Sequence, residues 1–321
     1  MPGPHDLFAR HTFGQPEHAA SELKAALPPE LVSQVDWESL RLEPSNVVDT
    51  KLRETESDLL FSARLRGGKP LLFYVLLEHQ SSVDPWMAWR MLRYVLRQLE
   101  NWRQQHPDSA GLPVIVPLVL YHGVEGGWTA PRRVEDLFEV PEEEPQRSQW
   151  RAWVPRFEYA VDDLTQAQAE ALMERAGSPL VRLAWLALRF GRTEELVRQL
   201  PGWVGLFSQL WKSSTGSEEL RAVVRYLLLV GGEAARPTTV GVLTSAMGTQ
   251  LTEELMFEKE FIEKGRQEGL AEGVLRILAV RGVQVGEQAR QRILSCKDMA
   301  LLNQWFDRAI NATRLSDVLE S

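Results

Sequence analysis

Two stretches of this chain leave little freedom in how it can fold: PLLFYVLLEHQ, from Pro70, and PVIVPLVLYHG, from Pro113, are apolar almost without interruption. Runs of that length read as strands covered on both faces, so a sheet with helices above and below it is expected. A third stretch, DLLFSARLR, sets Phe61, Ala63 and Leu65 against Ser62, Arg64 and Arg66, the period-two pattern of a strand with one buried face. Gly67-Gly68 separates it from the first apolar run and reads as a hairpin turn, because glycine accepts the positive φ values that tight turns need.

The remaining elements follow from capping and periodicity. PEHAASELKAAL places Pro16 in the first turn of a helix, puts Ala19, Ala20, Leu23, Ala26 and Leu27 on one face, and stops at Pro28-Pro29. Asp84-Pro85 opens a longer helix running to about Gln105, with Met87, Met91, Tyr94, Val95 and Leu99 as its core stripe. RFEYAVDD, from Arg156, alternates Phe157, Tyr159 and Val161 as a further short strand. These elements make an α/β unit over residues 1–163. Beyond it the pattern is helical only: a helical region over 164–250, a charged helix or linker over 251–273 with glycines at Gly265, Gly269 and Gly273, and a small helical unit over 274–321. A chain of 321 residues exceeds the roughly 250 to 300 at which one core stops growing, so a dominant core with an appendage is the expectation. No run approaches the roughly 18 apolar residues of a membrane helix, and the start MPGPHDLFARH lacks the pattern of a signal peptide. The lone Cys296, read as a small core residue, fits a reducing, cytoplasmic setting.

A net charge of −8 argues against a protein that coats nucleic acid through a general basic surface. Between Asp58 and Arg103, however, seven basic residues stand against four acidic ones, so this segment is locally positive. If the hairpin folds about Gly67-Gly68, paired residue numbers sum to 135 or 136, and Asp58 meets Glu78. Gln80 shares the Glu78 face, with the backbone carbonyl of His79 between them. Two adjacent carboxylates repel, and a hard divalent cation with oxygen ligands neutralises both, so Mg²⁺, or Mn²⁺ or Ca²⁺, is the expected occupant. Such a centre suits phosphodiester hydrolysis, with Asp58 and Glu78 holding the metal and the Gln80 amide orienting water or phosphate. Arg90, Arg93 and Arg97 follow at helical spacing as a stripe for backbone phosphates. Each feature has a plainer reading: strand-end carboxylates are most often solvated, and an arginine stripe is most often an ordinary wet helix face. His79 alternates away from the site, His122 is expected to be structural, and Asp6 or Glu17 would add at most an outer carboxylate.

HDLFARHTFGQPEHA, LPPEL, ESDLLFSARL, YVLLEHQSSVDPWMAWRMLRYVL and PLVLYHG together resemble the recombination-promoting nuclease (Rpn) family, whose members also carry the label of YhgA-like transposases. The resemblance covers about the first half of the chain. It implies the PD-(D/E)XK nuclease fold, a mixed sheet flanked by helices, with the acidic motif positions on Asp58 and Glu78 and with Gln80 where lysine is usual. It further implies a metal-dependent DNA endonuclease linked to recombination or mobile elements, with DNA as partner, no membrane, and a possible homo-oligomer. The alternative is a nuclease fold that has lost catalysis and binds DNA or protein.

Overall fold

The computed structural model describes residues 3–43, 59–78, 83–124, 126–283, 285–312 and 314–319, and gives the backbone alone at Leu77, Glu78, 254–269, Met299 and Asn311. Prolines start the first three helices: α1 (Pro4–Phe13), α2 (Pro16–Ala26) and the short α3 (Pro29–Val32). A proline in a first helical turn loses no hydrogen bond and has φ already set. Of these, α1 and α3 were not anticipated, and the Asp6 carboxylate accepts from the Gly3 N–H at 3.0 Å to cap α1.

The chain then enters a sheet of five strands in sequence order: β1 (Val35–Leu42), β2 (Leu59–Leu65), β3 (Pro70–Glu78), β4 (Val114–Tyr121) and β5 (Ala160–Asp163). The first three form an antiparallel meander, and β4 and β5 continue it in parallel. β1 was missed in the sequence because its ladder slips. Val35 faces Leu65, yet Leu42 faces Phe61, and buried Val35 and Leu40 fall on opposite parities. Ser39 occupies the slip, donating to the Asp36 carbonyl at 2.6 Å and accepting from the Arg64 N–H at 2.8 Å. The expected hairpin joins β2 to β3, but its loop is Arg66-Gly67-Gly68, with Gly68 at φ 81°. A three-residue loop ending in a left-handed residue centres the turn on Gly67. Leu59 therefore faces Val75 and Phe61 faces Phe73, a sum of 134 in place of 135 or 136.

β3 is central and buried from Leu71 to Val75 on both sides. One face packs Leu60, Leu72, Tyr74 and Leu76 against Met87, Ala88, Met91 and Tyr94 of α4 (Met87–Gln105), which follows the Asp84-Pro85 signal two residues later than proline alone indicates. Asp84 holds that start, its Oδ1 accepting from the Trp86 N–H at 2.8 Å. After α5 (Gln146–Arg151) only four residues of the expected RFEYAVDD strand join β4; Glu158, just before them, bridges Arg133 instead. The helices that follow are α6 (Ala169–Glu174), α7 (Pro179–Phe190), α8 (Leu196–Gln199), α9 (Val204–Trp211), α10 (Gly216–Val230) and α11 (Gly232–Met247). They belong with the sheet in one compact unit, Met1–Met247, whose α7 is buried along nearly its whole length.

The second unit, Gly248–Ser321, is helical: α12 (Thr249–Val280), α13 (Glu287–Leu294), α14 (Met299–Asn311) and α15 (Ser316–Leu319). Its core joins Ala271, Val274 and Leu278 to Leu302, Trp305 and Ala309, with Cys296 partly buried beside it. The glycine-repeat segment lies wholly within α12. At Gly273 a β-carbon would stand 2.9 Å from the Phe306 ring, so this glycine lets α14 approach closely. Among the described residues no helix is long and apolar enough to cross a membrane.

The other sheet face carries a buried charge cluster that sequence reading did not find. Glu22 of α2 is 1 % exposed, and its Oε2 accepts from Trp185 Nε1 of α7 at 2.5 Å. Beside it, Asp162 of β5 accepts two hydrogen bonds from Arg175, at 2.6 and 3.0 Å, and the Arg175 guanidinium lies 5.1 Å from the Trp185 ring centre. The signal was available: Glu22 interrupts the apolar stripe formed by Ala19, Leu23 and Ala26. Burial, then the charge of Asp162, push the Glu22 carboxyl well above the ordinary carboxylate range. It therefore holds its proton more tightly folded than unfolded, and stability falls as pH rises from the ordinary carboxylate range towards the folded value. Glu22→Gln, which copies the protonated form, is expected to flatten this descending limb. Arg175→Ala leaves Asp162 buried without its bidentate partner and is expected to cost about 3 kcal/mol. Urea unfolding across pH measures both.

Candidate functional site

Ligand sites in sheets with parallel strands lie beyond the carboxyl ends of those strands. Here β3, β4 and β5 run the same way, and their last residues form one row: Glu78 pairs with Tyr121, and Tyr121 with Asp163. The meander brings the start of β2 to this same end, since Leu59 faces Val75 and Glu78 lies three residues further on. Asp58 directly precedes Leu59 in the chain. Asp58, His79 and Gln80 lie outside the described residues, and of Glu78 only the backbone is described, closing β3. Among the described residues no three His, Cys, Asp or Glu side chains converge to hold a metal ion.

The neighbours in the row are shaped by tight packing. A β-carbon on Gly123 would overlap the Tyr121 hydroxyl, so the YHG ending of β4 lets the chain double back over that ring. Asp163 is a structural carboxylate. Its Oδ2 accepts from the Trp128 N–H at 2.7 Å, and its Oδ1 from the Thr165 N–H and hydroxyl at 3.0 and 2.6 Å. That grip fixes the loop after β4, where Gly126 has φ 71° and where a β-carbon on Gly127 would collide with Gln166. Trp128 thereby meets Tyr121 edge-on at 5.1 Å and Tyr159 at 6.2 Å. Tyr159 donates to the Pro131 carbonyl at 2.9 Å, and burial pushes its hydroxyl up to about 12. The sheet end beside Glu78 is thus walled by aromatic rings on the α4 side.

The arginines of α4 divide by environment. Arg90 is mostly buried: its Nε donates to the Tyr94 hydroxyl at 2.9 Å, and its guanidinium stands 3.8 Å from the Asp84 carboxylate. It fastens the first turn of the helix to the capping residue. Arg93 is exposed and Arg97 half-exposed. His122 is buried, its carbonyl accepting from Arg192 at 2.5 Å and its ring 5.5 Å from His5. Asp6 caps α1, and Glu17 is a largely exposed side chain 3.8 Å from His18.

Residues 3–218 match the family model described as "Putative transposase, YhgA-like". Among curated proteins, the chain is similar to recombination-promoting nuclease RpnD of Escherichia coli O157:H7, 29% identical over 76% of this chain and 88% of that protein. It is similar as well to recombination-promoting nuclease RpnA of Escherichia coli K12, 27% identical over 94% of this chain and 97% of the relative. A third relative, the inactive recombination-promoting nuclease-like protein RpnE of the same strain, is 27% identical over 98% of this chain and 95% of its own length. No solved structure matches the chain significantly.

The contrast between the arginines gives a direct expectation. Arg90→Ala removes a hydrogen bond and an ion pair from a mostly buried position and is expected to lower stability by about 2 kcal/mol. Arg93→Ala, on the wet face, is expected to leave the melting temperature nearly unchanged. Thermal unfolding of the two variants measures the difference.

Proposed function

This chain belongs to the YhgA-like family, and from that premise we propose that it is a metal-dependent DNA endonuclease of the PD-(D/E)XK type with its centre at Asp58, Glu78 and Gln80. The observation that carries the reading is the shared end of the sheet. The described strands bring the start of β2, which Asp58 precedes, and the last residue of β3, Glu78, to the carboxyl ends of the parallel strands. The mixed five-stranded sheet with helices on its faces agrees with the fold this reading requires.

The donor set fits a hard cation: two carboxylates and the backbone carbonyl of His79 offer oxygen alone, as Mg²⁺ and Mn²⁺ prefer. When bound, such an ion polarises the phosphodiester and lowers the pKa of a water at the site. Asp58 and Glu78 supply the negative charge that retains it. Gln80 carries no charge, so its amide positions water or phosphate by donating and accepting hydrogen bonds. Exposed Arg93 and half-exposed Arg97 supply phosphate contacts along α4, while Arg90 keeps the helix start in place.

RpnE, a relative in name inactive, favours a second reading, a binding module without catalysis. Both carboxylates are present in this chain, which favours the enzyme. Supercoiled plasmid incubated with purified protein and Mg²⁺, Mn²⁺ or Ca²⁺ separates the two. Cleavage is expected with Mg²⁺ or Mn²⁺, and its loss is expected in Asp58→Ala and in Glu78→Ala, with circular dichroism unchanged. Full activity in a folded Glu78→Ala protein would overturn the assignment. Gln80→Lys is expected to retain or raise the rate and Gln80→Leu to lose it. In a binding titration, Arg93→Ala with Arg97→Ala is expected to flatten the salt dependence, because each lost phosphate contact releases fewer counterions.

A further inference from the structure

The outer face of α4 holds a feature that the nuclease reading leaves unused. Trp86, at the helix cap, is 58 % exposed, Trp89 46 % and Leu96 49 %. Tryptophan is normally covered, as Trp185, Trp203 and Trp305 are in this chain; Trp150 and Trp153 are exposed as well, but on the short α5 and just past its end. At 3.6 residues per turn, Trp86, Trp89, Arg93, Leu96 and Arg97 fall within an arc of about 100°, opposite the core stripe of Met87, Met91 and Tyr94. Arg93 and Arg97 lie among these apolar side chains; Glu100 is exposed one turn beyond Leu96, and the Asp84 carboxylate accepts from the Trp86 N–H and faces Arg90. The helix also starts where β3 finishes: Leu76, two residues before Glu78, shares one core with Met87 and Ala88.

Resting on the nuclease reading, we propose that this face is a stacking platform for unpaired bases of a single DNA strand, next to the phosphate held at the Asp58 and Glu78 centre. Exposed rings beside arginines are what single strands need, because every base offers a π face whatever its identity and the cations follow the backbone. A duplex keeps its base faces stacked on one another and presents none to Trp86 or Trp89. The arginines of this face suit a polyanion, and α4 begins at the end of the sheet where β3 finishes.

Fluorescence anisotropy with a short labelled oligodeoxythymidylate, and with a duplex of equal length, tests the platform in the full chain with Ca²⁺ present. Trp86→Ala combined with Trp89→Ala is expected to weaken oligodeoxythymidylate binding by at least about tenfold, in line with the loss of base stacking. Duplex binding should change by less than about twofold, and the salt slope should stay the same because no charge is removed. Trp86→Tyr with Trp89→Tyr should restore most of the single-strand affinity. Unaltered oligonucleotide binding in the alanine double variant overturns the platform. So does an equal loss on the duplex, or a fall in solution mass, which would make this face a contact between copies of the chain. Plasmid cleavage by the unsubstituted protein keeps the two readings apart: cleavage with tryptophan-independent oligonucleotide binding removes the platform alone. Tryptophan-dependent binding with no cleavage under any metal removes the nuclease and leaves the platform.

Discussion

β3 admits water on neither side, and the first unit is arranged around that constraint. From Leu71 to Val75 every side chain is buried, so the strand has to be flanked within the sheet and roofed on both faces. β2 and β4 provide the flanks, one antiparallel through a three-residue turn and one parallel through the crossover helix α4. That crossover roofs one face with Met87, Met91 and Tyr94. The opposite face carries Asp162, so its cover has to satisfy a carboxylate as well as apolar surface. Arg175 does this for Asp162, and Trp185 for the neighbouring Glu22. Replacing such a cluster by apolar residues is often neutral or stabilising, whereas removing one member is costly. The cluster is therefore better understood as fixing how α2, β5 and α7 register than as a source of net stability.

What could be read from the sequence followed pattern strength. The strands β3 and β4 and the helix α4 announce themselves through unbroken apolar runs and a 3.6-residue stripe, because their burial is nearly complete. β1 was hidden by the slip at Ser39, which moves the buried positions from one parity to the other halfway along an eight-residue strand. The hairpin was legible but its register was not: two adjacent glycines do not say whether the loop holds two residues or three, and that choice moves every pair by one or two positions.

The candidate site was legible in a different sense. Asp58, Glu78 and Gln80 stand out through residue type and spacing, and the fold brings the strand ends next to which they lie to one edge, though Asp58 and Gln80 are outside the described residues. The arginine stripe reads from spacing as phosphate contacts, with Arg90, nearest the site, as the leading one. Helical spacing cannot show that Arg90 is tied to Asp84 and Tyr94, since that depends on how the chain enters the helix. Asp163 is the converse case. A carboxylate in the same row as Glu78 invites a catalytic role, yet it already accepts three hydrogen bonds that hold its own loop.

The irregularity at Ser39 has a further consequence at the margin of the sheet. β1 and β5 are its outer strands, and an outer strand with a free row of N–H and C=O groups is a template on which another chain can add. β5 offers only four residues to such a partner. β1 is twice as long, but the slip between Asp36 and Arg41 bends it and breaks the even spacing an incoming strand would have to match. A sheet whose middle strand is among the most apolar parts of the chain is in this way kept from growing sideways into aggregates.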